Sequence, residues 1–259
     1  MTPVCLSIAG SDPSGGAGIQ ADLKTFHRHG VYGAAAISLI TVQNSLGTRS
    51  VEVLSAELVS QQIRAVLDDL PVKAVKTGAL GNAAVVIAVA KALADRSIAL
   101  VVDPVMAAKN GTSLLGLDAL DAAISRLFPL TTLLTPNLDE ASILVGRDLR
   151  TISDMQEASL EMRDRFRCGA VLVKGGHLHG YDLVDVLCDG EGFAEFSAPR
   201  LATAHTRGTG CTYSAAITAH LAKGTSLRDA IAQSRRWLQD AIRSAPAMGA
   251  GRGGLNHFA

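Results

Sequence analysis

The chain is poor in aromatic residues, has no surplus of either charge, and carries no closely paired cysteines. Aromatics make up 4% of its 259 residues, too few for stacking platforms along a single-stranded nucleic acid. Twenty-four Lys and Arg balance twenty-four Asp and Glu, which argues against a polyanion-binding surface as the main business. Cys5, Cys168, Cys188 and Cys211 lie far apart with no CxxC pair. That pattern excludes a disulfide framework and a cysteine zinc site, and points to free thiols in a reducing compartment. No apolar run reaches the ~20 residues of a membrane span. Met1-Thr2-Pro3-Val4 leads into an apolar stretch with no basic segment of the secretory kind. The expectation is a soluble cytoplasmic protein. No linker or low-complexity segment breaks the chain, so a single domain over residues 1–259 is the economical reading.

What is present is an alternation of short apolar runs with longer amphipathic ones. Strands are predicted at Val4–Ala9, Ala34–Thr41, Val72–Lys76, Ile98–Asp103, Thr132–Thr135 and Ala170–Lys174. Helices are predicted at Ile19–Arg28, Ala56–Leu67, Ala83–Asp95, Leu117–Leu127 and Ser153–Arg167, with Thr212–Ala222 and Ser226–Arg243 near the end. Such alternation implies right-handed βαβ units and a mostly parallel sheet covered on both faces, a three-layer α/β/α sandwich. Asp182–Leu187 and Phe193–Ser197, joined by Cys188-Asp189-Gly190-Glu191-Gly192, read as an antiparallel hairpin closing one edge.

In sheets of this kind ligands sit beyond the carboxyl ends of the strands. Polar and glycine residues recur there: Gly10-Ser11-Asp12, Gln43-Asn44, Lys76-Thr77-Gly78, Asp103-Pro104, Thr135-Pro136-Asn137 and Lys174-Gly175-Gly176. The loop Gly10 to Gly18 is no P-loop, because Gly16-Ala17 stand where Lys and Ser or Thr belong. Its glycine spacing does not fit a dinucleotide fingerprint either. The run Arg207-Gly208-Thr209-Gly210-Cys211 opens an apolar helix with unobstructed amides, which suits an anion. A thiol there feels the positive end of the helix dipole, which favours thiolate. A glycine-rich turn around a structural cysteine fits the same run. Asp22 reads as a helix-start carboxylate, Gln43 as an amide suited to a heteroaromatic edge, and Lys174 as a strand-end cation. Asn137 and Glu140, three apart at a helix start, place two oxygen ligands on one face, and Asp103 could join them near magnesium. A helix cap followed by a surface carboxylate is the plainer reading. His177 and His179 are read as loop residues rather than metal ligands.

Together these segments resemble the bacterial hydroxymethylpyrimidine/phosphomethylpyrimidine kinases of thiamine biosynthesis. The resemblance rests on five collinear motifs spanning nearly the whole chain: Gly10–Phe26, Val102-Asp103-Pro104-Val105-Met106, Thr135-Pro136-Asn137, Val173–His177 and Gly208-Thr209-Gly210-Cys211-Thr212. It implies a ribokinase-like fold, ATP and Mg2+, a small aminopyrimidine substrate and a homodimer. By the same resemblance Gly10, Asp22, Gln43, Ala79 and Val105 would surround the pyrimidine. Gly208, Thr209, Gly210 and Cys211 would form an anion hole, with Cys211 as the base. Lys174 and Thr209 would meet phosphate, and Asp103, Asn137 and Glu140 would serve the magnesium-phosphate cluster, Asp103 and Glu140 holding the metal through water.

The chain departs from the pattern in three places. Arg207 stands where a histidine is usual and adds a fixed cation beside the phosphates. Ala79 replaces a methionine common over the ring. The tail Gly249–His257 departs from the usual Gly-His-Gly-Pro sequence. Two other readings stay open: a pyridoxal or pyridoxine kinase, and a non-catalytic pyrimidine sensor. A nicotinamide or flavin oxidoreductase is set aside for want of the glycine fingerprint.

Overall fold

The computed structural model describes residues 2–106, 116–176 and 182–259. His177 and His179 lie outside the described residues. Within them the strands form one sheet in the order β3-β2-β1-β4-β5-β6-β7-β8-β9. They are β1 (Val4–Ser11), β2 (Tyr32–Asn44), β3 (Gly47–Val53), β4 (Val72–Thr77), β5 (Ala99–Val102), β6 (Leu133–Leu134), β7 (Val171–Val173), β8 (Asp182–Asp189) and β9 (Gly192–Pro199). From β2 to β7 all neighbours pair parallel, whereas β3, β8 and β9 join antiparallel.

Alternation along the strands decides which residues meet which helix layer. Val4, Leu6 and Ile8 of β1, Val75 of β4, Leu100 and Val102 of β5 and Val171 and Val173 of β7 face one layer. That layer is α2 (Ala56–Leu67), α3 (Ala83–Leu93), α4 (Leu117–Ala122), α5 (Leu138–Val145) and α6 (Ile152–Phe166). The intervening Cys5, Ala74, Val101 and Leu172 face α1 (Gly18–Arg28), α7 (Thr209–Ala222) and α8 (Leu227–Arg243) on the other side. Both faces of the central strands are therefore apolar, as parallel sheets require. Each fully buried Leu or Ile, such as Leu6, Ile8 and Leu39, contributes about 1.5–3 kcal/mol of burial.

Three local features differ from the sequence expectation. Gly47–Val53 was not foreseen as a strand; it pairs antiparallel with β2 at the sheet edge, where its half-exposed, mixed composition hides the strand period. In consequence β2 runs on to Asn44, so Gln43 and Asn44 pair across to Thr48 and Gly47 instead of following the strand. The helix α7 begins at Thr209 rather than Thr212, because Gly208 caps it from the left-handed region with φ of 74°.

Candidate active site

The carboxyl ends of β1, β4, β5 and β7, the β2–β3 hairpin, the start of α7 and the tail around Gly251 enclose a cavity of about 510 Å³. Of the residues expected at a site, Gly10, Gln43, Ala79, Val105, Asp103, Asn137, Glu140, Lys174 and Gly208 to Cys211 all line it. Asp22 does not. That carboxylate is fully buried behind the cavity floor, where Lys76 Nζ donates to it at 2.8 and 3.0 Å and Ser7 Oγ at 2.6 Å. The correction has a simple origin: Asp22 is one turn inside α1, which lies against the sheet, so its carboxylate meets β1 and β4 rather than open space. Lys76, from the fourth strand of the sheet order, is the group that reaches the cavity in its place.

The α7 start is built by glycines. A side chain on Gly208 would collide with the Gly16 carbonyl, so the helix start packs backbone to backbone on the Gly10–Gly18 loop. In the first turn of α7 Thr209 N bonds Thr206 O at 3.4 Å and Thr212 N bonds Gly208 O at 2.8 Å, which leaves the Gly210 and Cys211 amides as the ones suited to an anion. Gly210 is next to the cation: a Cβ there would lie 3.2 Å from Lys174 Nζ and 3.5 Å from Asp103 Oδ2. Lys174 Nζ donates to Asp103 Oδ1 at 2.8 Å. Burial opposes the charge on Lys174, but Asp103 and Glu140 hold its ammonium above its ordinary value.

Cys211 behaves differently from the dipole argument. Burial pushes its thiol above the ordinary range; Lys76 pulls it down, while Asp22 and Asp103 push it further up. The Gly18 amide, also nearby, favours the thiolate slightly. Without ligand the thiol is therefore protonated, because loss of solvent outweighs the helix terminus. Burial likewise opposes the ammonium of Lys76, yet the carboxylates of Asp22 and Asp103 hold it charged, Asp22 also by accepting its hydrogen bonds.

Glu140 and Asn137 form a reciprocal cap on α5. Asn137 N donates to Glu140 Oε2 at 2.8 Å and Glu140 N to Asn137 Oδ1 at 2.9 Å. The plain capping reading is thus present, and the carboxylate is buried rather than on the surface. Burial, with Asp103 adding to it against Lys174, pushes the Glu140 carboxyl up to about 7.

A network missed at the sequence level holds the other wall. Asp12 is fully buried and accepts from Ser14 N and Oγ, Gly16 N, Ala17 N, and Arg207 at 2.8 Å. The same guanidinium donates to the Asn44 carbonyl. Arg207 is therefore neutralised by Asp12, not a free cation for phosphate as expected. It clamps the glycine loop and the end of β2 to the start of α7. The only sequence signal was Arg207 itself, an unusual residue beside the helix start. Its partner, nearly two hundred residues away, was not legible.

The sequence model of the phosphomethylpyrimidine kinase family matches residues 12–256. The chain belongs to that family. It is 47% identical over 262 residues to the hydroxymethylpyrimidine/phosphomethylpyrimidine kinase of Rhizobium meliloti, covering 100% of this chain and 98% of that one. The solved phosphomethylpyrimidine kinase of Clostridium difficile superposes with a TM-score of 0.82 at 38% identity, over 93% of this chain and 100% of that one. An ADP complex of Bacillus subtilis pyridoxal kinase superposes with a TM-score of 0.91 at 36% identity, over 99% and 98% of the two chains. As a phosphomethylpyrimidine kinase family member, the chain has the ribokinase-like arrangement of a mostly parallel sheet between helix layers.

The ADP complex of the pyridoxal kinase relative points to nucleotide use, and the residues present would fit a divalent cation beside the phosphates. Asp103 and Glu140 offer only oxygen donors, which suit Mg2+. Burial is the main cause of the raised Glu140 carboxyl and Asp103 adds to it; a cation between the two carboxylates would offset both. Lys174 and the capping bonds occupy part of each carboxylate, which leaves room for contact through water. Among the described residues no cluster of three or more metal-ligating side chains occurs. No helix among the described residues is long and apolar enough to cross a membrane.

Proposed function

We propose that this phosphomethylpyrimidine kinase family member transfers the γ-phosphoryl group of ATP to the hydroxymethyl group of 4-amino-5-hydroxymethyl-2-methylpyrimidine, and then a second phosphoryl group to the resulting monophosphate. One observation carries the reading: Cys211 and Lys174 both line the cavity at the glycine-built start of α7, together with Gln43. The pyrimidine would lie against Gly10, Gln43, Ala79 and Val105, and the phosphates against Thr209, Lys174 and Asn137. Cys211 first gives up its own proton to solvent, in the fraction of molecules that grows as pH rises, and as thiolate accepts the proton of the substrate hydroxyl. The oxygen then bonds to the γ-phosphorus while the bond to the β-phosphate oxygen breaks, and ADP departs. Backbone amides at Gly208 to Cys211 and the Lys174 ammonium stabilise the charge that gathers on the transferring group. Mg2+ held by Asp103 and Glu140 would neutralise charge on the β- and γ-phosphate oxygens when bound. The same reading makes the protein a cytoplasmic homodimer; Ile40, Val42 and Leu46 stand exposed on β2 and its turn.

The test is phosphoryl transfer from MgATP to hydroxymethylpyrimidine, to its monophosphate and to pyridoxal, with products resolved by mass. Mono- and diphosphate products support the reading. Pyridoxal phosphate as the dominant product would replace it with the second reading, which the close superposition on a pyridoxal kinase favours. Cys211→Ala should lose turnover and keep pyrimidine affinity; full turnover in that variant would remove Cys211 as the base.

A further inference from the structure

The two-step reading asks one cavity to accept a neutral pyrimidine alcohol first and its anionic monophosphate second, because a phosphate monoester carries nearly two charges at pH 7. Among the described residues four cationic side chains line the cavity: Lys76, Lys174, Arg207 and Arg252. Three are held by carboxylates at 2.8 Å, Lys76 by Asp22, Lys174 by Asp103 and Arg207 by Asp12. Arg252 has no carboxylate partner among the described residues and stands exposed at the cavity wall.

Its backbone is tied to both neighbours of the cavity wall. Arg252 N donates to Ser45 O at 3.0 Å, and Gly251 N to Ser45 Oγ at 3.2 Å. On the other side Gly253 O accepts from Arg207 N at 3.2 Å, and Gly253 N donates to His205 Nδ1 at 3.2 Å. A side chain at Gly251 would collide with the Ser45 carbonyl, so the tail lies tight against the β2–β3 turn. Residues 251–253 therefore bridge the turn beside Gln43 to the residue before Gly208. That bridge puts Arg252 between the pyrimidine wall and the anion hole. The Lys174–Asp103 pair and the Asn137–Glu140 cap belong to other strands and a different wall.

We infer that Arg252 determines specificity for the second transfer by binding the phosphate already carried on the pyrimidine. The inference rests on the two-step reading. A guanidinium presents paired N–H groups to two phosphate oxygens, while the neutral alcohol of the first step offers it no charge. Because the group is exposed, its attraction weakens as salt rises.

Steady-state kinetics of the full chain with MgATP test this in Arg252→Gln and Arg252→Lys. The expected result for Arg252→Gln is a KM for the monophosphate raised about tenfold. KM for hydroxymethylpyrimidine and for ATP should stay within twofold, and the salt dependence of the monophosphate KM should flatten. Arg252→Lys should fall between. Equal effects on both pyrimidines, an effect confined to ATP, or no effect would each overturn the inference, and an unchanged melting temperature separates them from misfolding. A wild-type chain that phosphorylates the alcohol but never the monophosphate overturns the two-step reading itself, a different failure seen before any variant is made.

Discussion

Replacing Asp22 by Asn removes the charge that faces Lys76 in a place where neither side chain is exposed. Lys76 is then left with two poor options, to stay charged without a counter-ion or to give up its proton. Breaking a buried pair by removing one partner costs about 3–5 kcal/mol. For a chain of this size each kcal/mol moves the melting temperature by about 2–4 °C, so Asp22→Asn should melt about 6–20 °C lower. The double variant Asp22→Leu/Lys76→Met replaces the pair by apolar groups of similar volume and should recover most of that loss. It should not recover turnover, because the ammonium that draws down the Cys211 thiol is gone. Calorimetric melts of wild type and both variants, with kcat measured alongside, decide the matter. An Asp22→Asn protein melting within about 2 °C of wild type, or a double variant no more stable than the single one, would refute the reasoning. Wild-type turnover in the double variant would refute the role of Lys76 at the cavity floor.

Three further outcomes are expected. With Cys211 as a base whose thiol is held above its ordinary range, log kcat/KM should climb with pH through the neutral range. A plateau below pH 8 that Glu140→Gln leaves unchanged would rule that assignment out. The Glu140 carboxyl, pushed from 4.5 to about 7, keeps a proton in the folded chain that the unfolded chain has lost across that window. Stability should therefore fall as pH rises from 4.5 to about 7, and identical slopes for wild type and Glu140→Gln over that window would contradict this. Arg207→Met frees the end of β2 from the anion-hole loop. It should lower kcat about 100-fold with a smaller change in pyrimidine KM, since a shift near 1 Å at the reacting groups has that effect. A loss confined to KM would show that the clamp shapes binding and not alignment.

The sheet and its helices were legible because their signals are local. Val4–Ala9, Ala34–Thr41 and Val72–Lys76 are apolar runs that can be satisfied only when covered on both faces. The glycines of the Gly10 loop and of Gly208-Thr209-Gly210 announce close backbone approach, and the motifs around them carry the family resemblance. The edge strand β3 escaped notice because a half-exposed strand keeps no clear alternation. The same is true of the β2 extension it supports.

By itself, the sequence determined the fold class, the rim of strand ends and the chemical groups gathered there, since each follows from the period and residue type of a short segment. Only the tertiary structure decided how those groups are charged and partnered. Asp22 passes from pyrimidine ligand to counter-ion of Lys76, and Arg207 from phosphate cation to partner of Asp12. Cys211 passes from a helix-start thiolate to a thiol that burial keeps protonated. Pairing, burial and protonation depend on residues brought together from distant strands. In a low-dielectric interior those neighbours outweigh the local preference of any single residue.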